Sequence, residues 1–96
     1  MSNQEQILSG FQQYAREIIN EHSKDIREKY KNGISGEVRL SVFNQHLDAL
    51  KSELLNKMRE LSVQYKNETG ADEKLITGRL HTQYDNYINE FFKTEF

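Results

Sequence analysis

The chain has 96 residues, of which 35% are hydrophobic and 29% charged, with no cysteine and no proline. A chain this short forms one domain, and without cysteine it has no disulfide, thiolate nucleophile or cysteine-based zinc site. Its 13 basic and 15 acidic residues are evenly mixed (five of each sign in residues 1–36, five of each in 37–69, three basic against five acidic in 70–96), which excludes a basic face for nucleic acid or anionic lipid.

The apolar fraction is low for a compact sphere, so an elongated molecule is expected, with a thin core or one completed by a second copy. No stretch approaches the ~20 apolar residues that span a bilayer. The opening residues Met1–Gln6 lack the basic region and apolar run of a signal peptide. The expected compartment is the cytoplasm.

Apolar residues recur at helical spacing in three segments, separated by Asn32-Gly33-Ile34-Ser35-Gly36 and Asn67-Glu68-Thr69-Gly70-Ala71-Asp72. The first predicted helix covers about 4–31, with Leu8, Phe11, Ala15, Ile19, His22, Ile26 and Tyr30 on one stripe and Ile7, Tyr14 and Ile18 beside it. Gly33 supplies a left-handed stop. Lys29 and Lys31 suit the negative end of the helix dipole.

The second predicted helix covers about 38–67. Leu40, Phe43, Leu47, Leu50, Leu54, Met58, Leu61 and Tyr65 follow the three-and-four spacing of a coiled-coil seam. At its start Val38, Leu40 and Val42 alternate with Arg39 and Ser41, a strand signal set aside because the chain offers no partner strand. The third predicted helix covers about 73–94, with Asp72 as its N-cap and Ile76, Leu80, Tyr84, Tyr87 and Phe91 as its inner stripe, Ile88 at the edge. Gly78 inside it costs roughly 1 kcal/mol relative to alanine and marks either close packing or a weak first turn. Short connections make neighbouring helices antiparallel. The expected fold is all-α, an antiparallel hairpin plus a third helix in an up-down-up bundle, either self-contained or completed by dimerisation.

No reactive cluster stands out. His22 lies on the first helix's apolar stripe and reads as a part-buried histidine bonded to a neighbouring carbonyl or carboxylate, or as a pH-sensitive contact. His46 and His81 read as boundary or solvated residues. No glutamate stands three residues before any histidine and no two histidines are four apart, so the helical metal motifs are missing. Glu17, Glu21, Asp25 and Glu28 interleave with Arg16, Lys24, Arg27 and Lys29 as an ion-paired surface. Phosphate-cradling glycine motifs are missing as well, and Gly33-Ile34-Ser35-Gly36 reads as a turn. No cofactor is expected.

Aromatics crowd the end of the chain, at Tyr84, Tyr87, Phe91, Phe92 and Phe96. One stripe accommodates Tyr84, Tyr87 and Phe91, whereas Phe92 and Phe96 lie round the helix from it. These six positions, Ile88 included, form the expected protein-interaction site. The alternative is that Phe92 folds back on the first helix and Phe96 frays.

Two resemblances accompany this reading. Met58-Arg59-Glu60-Leu61, the Gly70 turn and Tyr84-Asp85-Asn86-Tyr87-Ile88-Asn89-Glu90-Phe91 resemble the helical-hairpin phosphatases of sporulation response regulators. That family's Ser-Gln-Glu-Leu-Asp stands opposite His81-Thr82-Gln83-Tyr84-Asp85, sharing the aspartate alone. The resemblance implies hydrolysis of an aspartyl phosphate, with Asp85 or Gln83 orienting the water. The length and the Ile34-Ser35-Gly36 turn between long helices resemble the small hairpin substrates of type VII secretion, which carry Trp where Ile34 stands and a C-terminal Tyr-x-x-x-acidic signal. Here Ile88 and Phe91 follow Tyr84 and Tyr87 at that spacing. The main expectation is a non-enzymatic interaction module (adaptor, regulator or inhibitor) that binds another protein and associates with itself, with no nucleic-acid or membrane partner.

Overall fold

The computed structural model describes residues 3–96. Three helices follow one another, α1 (Asn3–Lys31), α2 (Gly36–Thr69) and α3 (Lys74–Lys93). They pack pairwise into the up-down-up bundle that the short connections predict. The molecule is a rod of 52 × 20 × 18 Å, and among the described residues no helix is long and apolar enough to cross a membrane.

Each turn has a local cause. Gly33 and Gly70 take φ of +75° and +70°, the left-handed conformation that a side chain disfavours. The Gly70 N–H donates to the Lys66 carbonyl, satisfying one of the last helical acceptors. Ser35 caps α2, its hydroxyl accepting from the Val38 N–H at 3.4 Å. That cap starts the helix at Gly36, so Val38–Phe43 is helical despite its alternating pattern. A lone strand there would leave its backbone groups unpaired. Asp72 Oδ1 accepts from the Lys74 N–H at 3.0 Å, so Asp72 does stabilise the start of α3, one residue outside the helix's formal boundary at Glu73.

The core is a single apolar column. Phe11, Phe91, Ile26, Leu50, Leu54, Ile76 and Leu80 are fully buried within it. On α1 Ile18 is buried and Ile19 only partly so, the reverse of the expected stripe, because the contact face drifts around a straight helix at 3.6 residues per turn. Leu40, expected on the α2 seam, is instead 62% exposed. The seam begins at Phe43, where the last turn of α3 arrives. The first turn of α2 lies beyond that level and meets only the end of α1, where the Tyr30 hydroxyl donates to the Arg39 carbonyl at 3.0 Å and the Arg39 guanidinium lies 4.9 Å from the Tyr30 ring.

The two ends of the rod are tied differently. At one end a polar relay joins all three helices. Arg79 Nη1 donates to Gln4 Oε1 at 2.9 Å, and Gln4 Nε2 donates to the Tyr65 hydroxyl at 3.2 Å. At the other end the tie is aromatic, built from Tyr30, Phe43, Phe91 and Phe96.

Candidate functional site

The six residues singled out from the sequence separate into three environments. Phe91 is 1% exposed and stacks on Phe43 with centroids 5.4 Å apart and planes within 10°, so its ring belongs to the core. Tyr87 is half-buried on the α1 side, edge-on to Phe11 at 6.2 Å. Phe96 neither frays nor points away. The chain leaves α3 in extended conformation at Thr94, which turns Phe96 back over Phe43, Phe91 and Tyr30 at 6.1, 5.6 and 6.4 Å. The Arg27 guanidinium closes over its outer face at 5.4 Å, a cation–π contact.

Tyr84, Ile88 and Phe92 share the third environment. With His81 and Thr77 they occupy positions spaced four, three, four and four along α3, one continuous stripe on a helix. Tyr84 and Ile88 are partly buried against the core, and burial, with Asp85 adding to it, pushes the Tyr84 hydroxyl above its ordinary value. Phe92 is 66% exposed and leans edge-on against Phe43 of α2 at 5.9 Å rather than folding back on α1. The stripe therefore borders α2.

Where that stripe starts, α2 and α3 flank a mainly apolar groove of about 400 Å³. Leu55, Met58, Ser62 and Val63 line it from α2, and Thr77 and His81 from α3, with Arg59 and Glu73 at the rim. Ser62 and Thr77 are joined at its floor by a 3.3 Å hydrogen bond between their hydroxyls. Val63 is 50% exposed and Leu55 partly so. Neither residue sits on the heptad seam, and that offset is the signal by which the sequence could have disclosed the groove.

A second constellation bridges α1 and α2. His22 Nδ1 and His46 Nδ1 are 2.8 Å apart, His22 Nε2 lies 3.2 Å from the Glu53 carboxylate, and Lys29 Nζ lies 3.4 Å from His46 Nε2. His22 thus bonds a carboxylate, as one of its two sequence readings expects. His46, read as a boundary residue, is in fact its partner, because the antiparallel crossing brings the middle of α1 against the first half of α2. Burial, then His22 and Lys29, hold the His46 imidazole below its ordinary value, with Asp25 and Glu53 opposing them. Among the described residues no three His, Asp or Glu side chains are arranged to hold a metal ion.

A third hollow lies between α1 and α3, polar, and lined by Gln12, Arg16, Ile19, Asn20, Gln83, Asn86, Tyr87 and Glu90. Gln83 Oε1 is buried here without a hydrogen-bond partner. Asp85, two residues on, is exposed and paired with His81 at 3.9 Å. At 3.6 residues per turn the two side chains leave α3 roughly 160° apart, so they do not converge on one water. Comparison with protein-family models, curated proteins and solved structures finds no match, so the two family resemblances rest on the residues quoted for them alone.

Proposed function

We propose that this protein is a helical interaction module whose α2–α3 face receives an amphipathic helix of another protein. The observation that carries the reading is the continuity between the Leu55–Met58–Val63 groove and the His81–Tyr84–Ile88–Phe92 stripe. Two antiparallel helices leave between them the channel that a further helix fills in a four-helix arrangement. Helix-in-groove recognition uses apolar anchors at spacings of three and four, the spacing that α3 presents. Arg59 and Glu73 at the groove, with Asp85 beside His81 on α3, offer charges of both signs to set the direction of the incoming helix.

A helix from a different protein suits this face better than a second copy. A two-fold dimer places the same patch against itself, and two concave faces brought together enclose a void instead of filling it. The role proposed is that of an adaptor, regulator or inhibitor, with no reaction centre of its own.

Photo-reactive residues placed one at a time at Val63 and Phe92, with a control at the exposed Gln13, test this in cells that make the protein. The expected result is one cross-linked species of the same mass from both test positions and none from the control. Cross-links from the control equal to those from the groove, or a product at twice the chain mass, would remove the proposal.

A further inference from the structure

The α1–α2 bridge admits one arrangement of protons. Lys29 Nζ can only donate, so the His46 Nε2 that faces it at 3.4 Å accepts. A neutral His46 then carries its proton on Nδ1 and donates it to His22 Nδ1, 2.8 Å away. An acceptor at Nδ1 leaves the proton of neutral His22 on Nε2, where an ionised Glu53 accepts it at 3.2 Å. Donors therefore run in a single direction, from Lys29 through His46 and His22 to Glu53, crossing from α1 to α2, back to α1 and again to α2. With both imidazoles neutral, each ring nitrogen has a partner.

We propose that His22 and His46 form a proton-operated latch that holds the middle of α1 against α2 while at most one proton is added and releases it when both rings are charged. A proton added to His22 goes to Nδ1, the nitrogen that faces His46, while its Nε2–H stays on the Glu53 carboxylate. His22 then donates at both nitrogens, and His46 moves its own proton from Nδ1 to Nε2 by exchange with water, turning Nδ1 into the acceptor. The short contact survives, and Lys29, now facing an N–H, swings into solvent. The second proton leaves two N–H groups pointed at each other across 2.8 Å, a contact between two donors and two positive charges in a setting where His22 is 13% exposed. No rotation about one ring restores it, so the helices part at this level.

The groups whose charges act on His46 belong to α1 and α2, with His22, Lys29 and Asp25 on the first and Glu53 on the second. His22 and Lys29 add to the repulsion on a charged His46, and Asp25 and Glu53 reduce it without bonding His46. Buried side chains that flank the two rings in sequence, Ser23 and Ile26 on α1 and Leu47 and Leu50 on α2, are the ones exposed on release. A latch of this kind reports acidification near the histidine range and depends on no ligand.

Two measurements on the intact chain decide it. Ring ¹⁵N–¹H correlation spectra at pH 8 assign the tautomers; the expected result is Nδ1–H on His46 and Nε2–H on His22. A pH series then follows the methyl signals of Ile26, Leu47 and Leu50, which are expected to shift or broaden together in the second of two protonation steps. His46→Asn keeps an N–H donor near the Nδ1 position and cannot titrate. It is expected to keep the wild-type fold at pH 8 and to lose the acid-induced change at the methyls of those three residues. Nε2–H on both rings at pH 8, or an acid response of the same size and midpoint in His46→Asn, would overturn the latch.

Discussion

Phe43 of α2 and Phe91 of α3 stack in nearly parallel planes at the aromatic end of the rod. Phe91 is completely enclosed, while its neighbour Phe92 is two-thirds exposed. Adjacent residues of one type thus have different tasks. Phe91→Ala should destabilise the fold by about 3–5 kcal/mol, the usual cost of emptying a phenylalanine site. Phe92→Ala should cost under about 1.5 kcal/mol, the value of one aromatic edge contact. Urea unfolding of the two variants measures the difference.

The glycines make a second contrast. Gly78 lies inside α3 with open space where a Cβ would stand, so close packing does not explain it. Gly78→Ala should stabilise the chain by about 1 kcal/mol, or ~4–8 °C in Tm for a chain of this size. Gly70→Ala should act oppositely, by about 1–2 kcal/mol, because φ of +70° strains any residue with a Cβ. Thermal melts followed by helical circular dichroism test both.

Stability should also depend on pH below the ordinary histidine value of about 6.5. His46 is held lower than that in the folded chain. In the window between the folded and unfolded values the unfolded chain binds more protons, so the unfolding free energy rises with pH. The contribution is therefore complete above the unfolded value and is lost as pH falls through the folded one. Urea midpoints at half-unit steps from pH 8 to pH 4.5 should decline on the acid side of 6.5, apart from the carboxylate-driven loss at lower pH.

The proposed docking face can be damaged without harming the fold. Val63 lies outside the core at 50% exposure, so Val63→Asp should change stability by no more than about 0.5 kcal/mol. It should weaken partner binding at least tenfold, equivalent to about 1.4 kcal/mol, because binding would bury an unpaired charge where an apolar anchor stood. Isothermal titration with the captured partner, alongside a melt of the variant alone, separates the two effects.

Periodicity and punctuation carried most of the architecture. The spacing from Phe43 to Tyr65 disclosed the α2 seam, and the glycines at 33 and 70 disclosed the turns. What escaped depends on where one helix ends relative to another. Leu40 fits the heptad in sequence, yet the last turn of α3 reaches only to the level of Phe43. Phe96 reads as surplus because a helical wheel continues past Thr94, where the backbone in fact turns back. The His22–His46 contact joins residues 24 apart on different helices, so it follows from the register of an antiparallel pair, which no local pattern encodes. Of the expected interaction residues, Phe91 and Phe96 are held by contacts within the chain, and the groove at Leu55 and Val63 extends the surface left to Tyr84, Ile88 and Phe92.

The α2–α3 face is proposed as the working surface of the bundle. Methyl NMR of the chain, titrated with a helical peptide taken from the cross-linked partner, tests it most directly. Shifts should concentrate at Leu55, Val63 and Ile88 and leave Ile19, in the α1–α3 hollow, unmoved. Shifts centred on Ile19, or none at any methyl at saturating peptide, would place the working surface elsewhere.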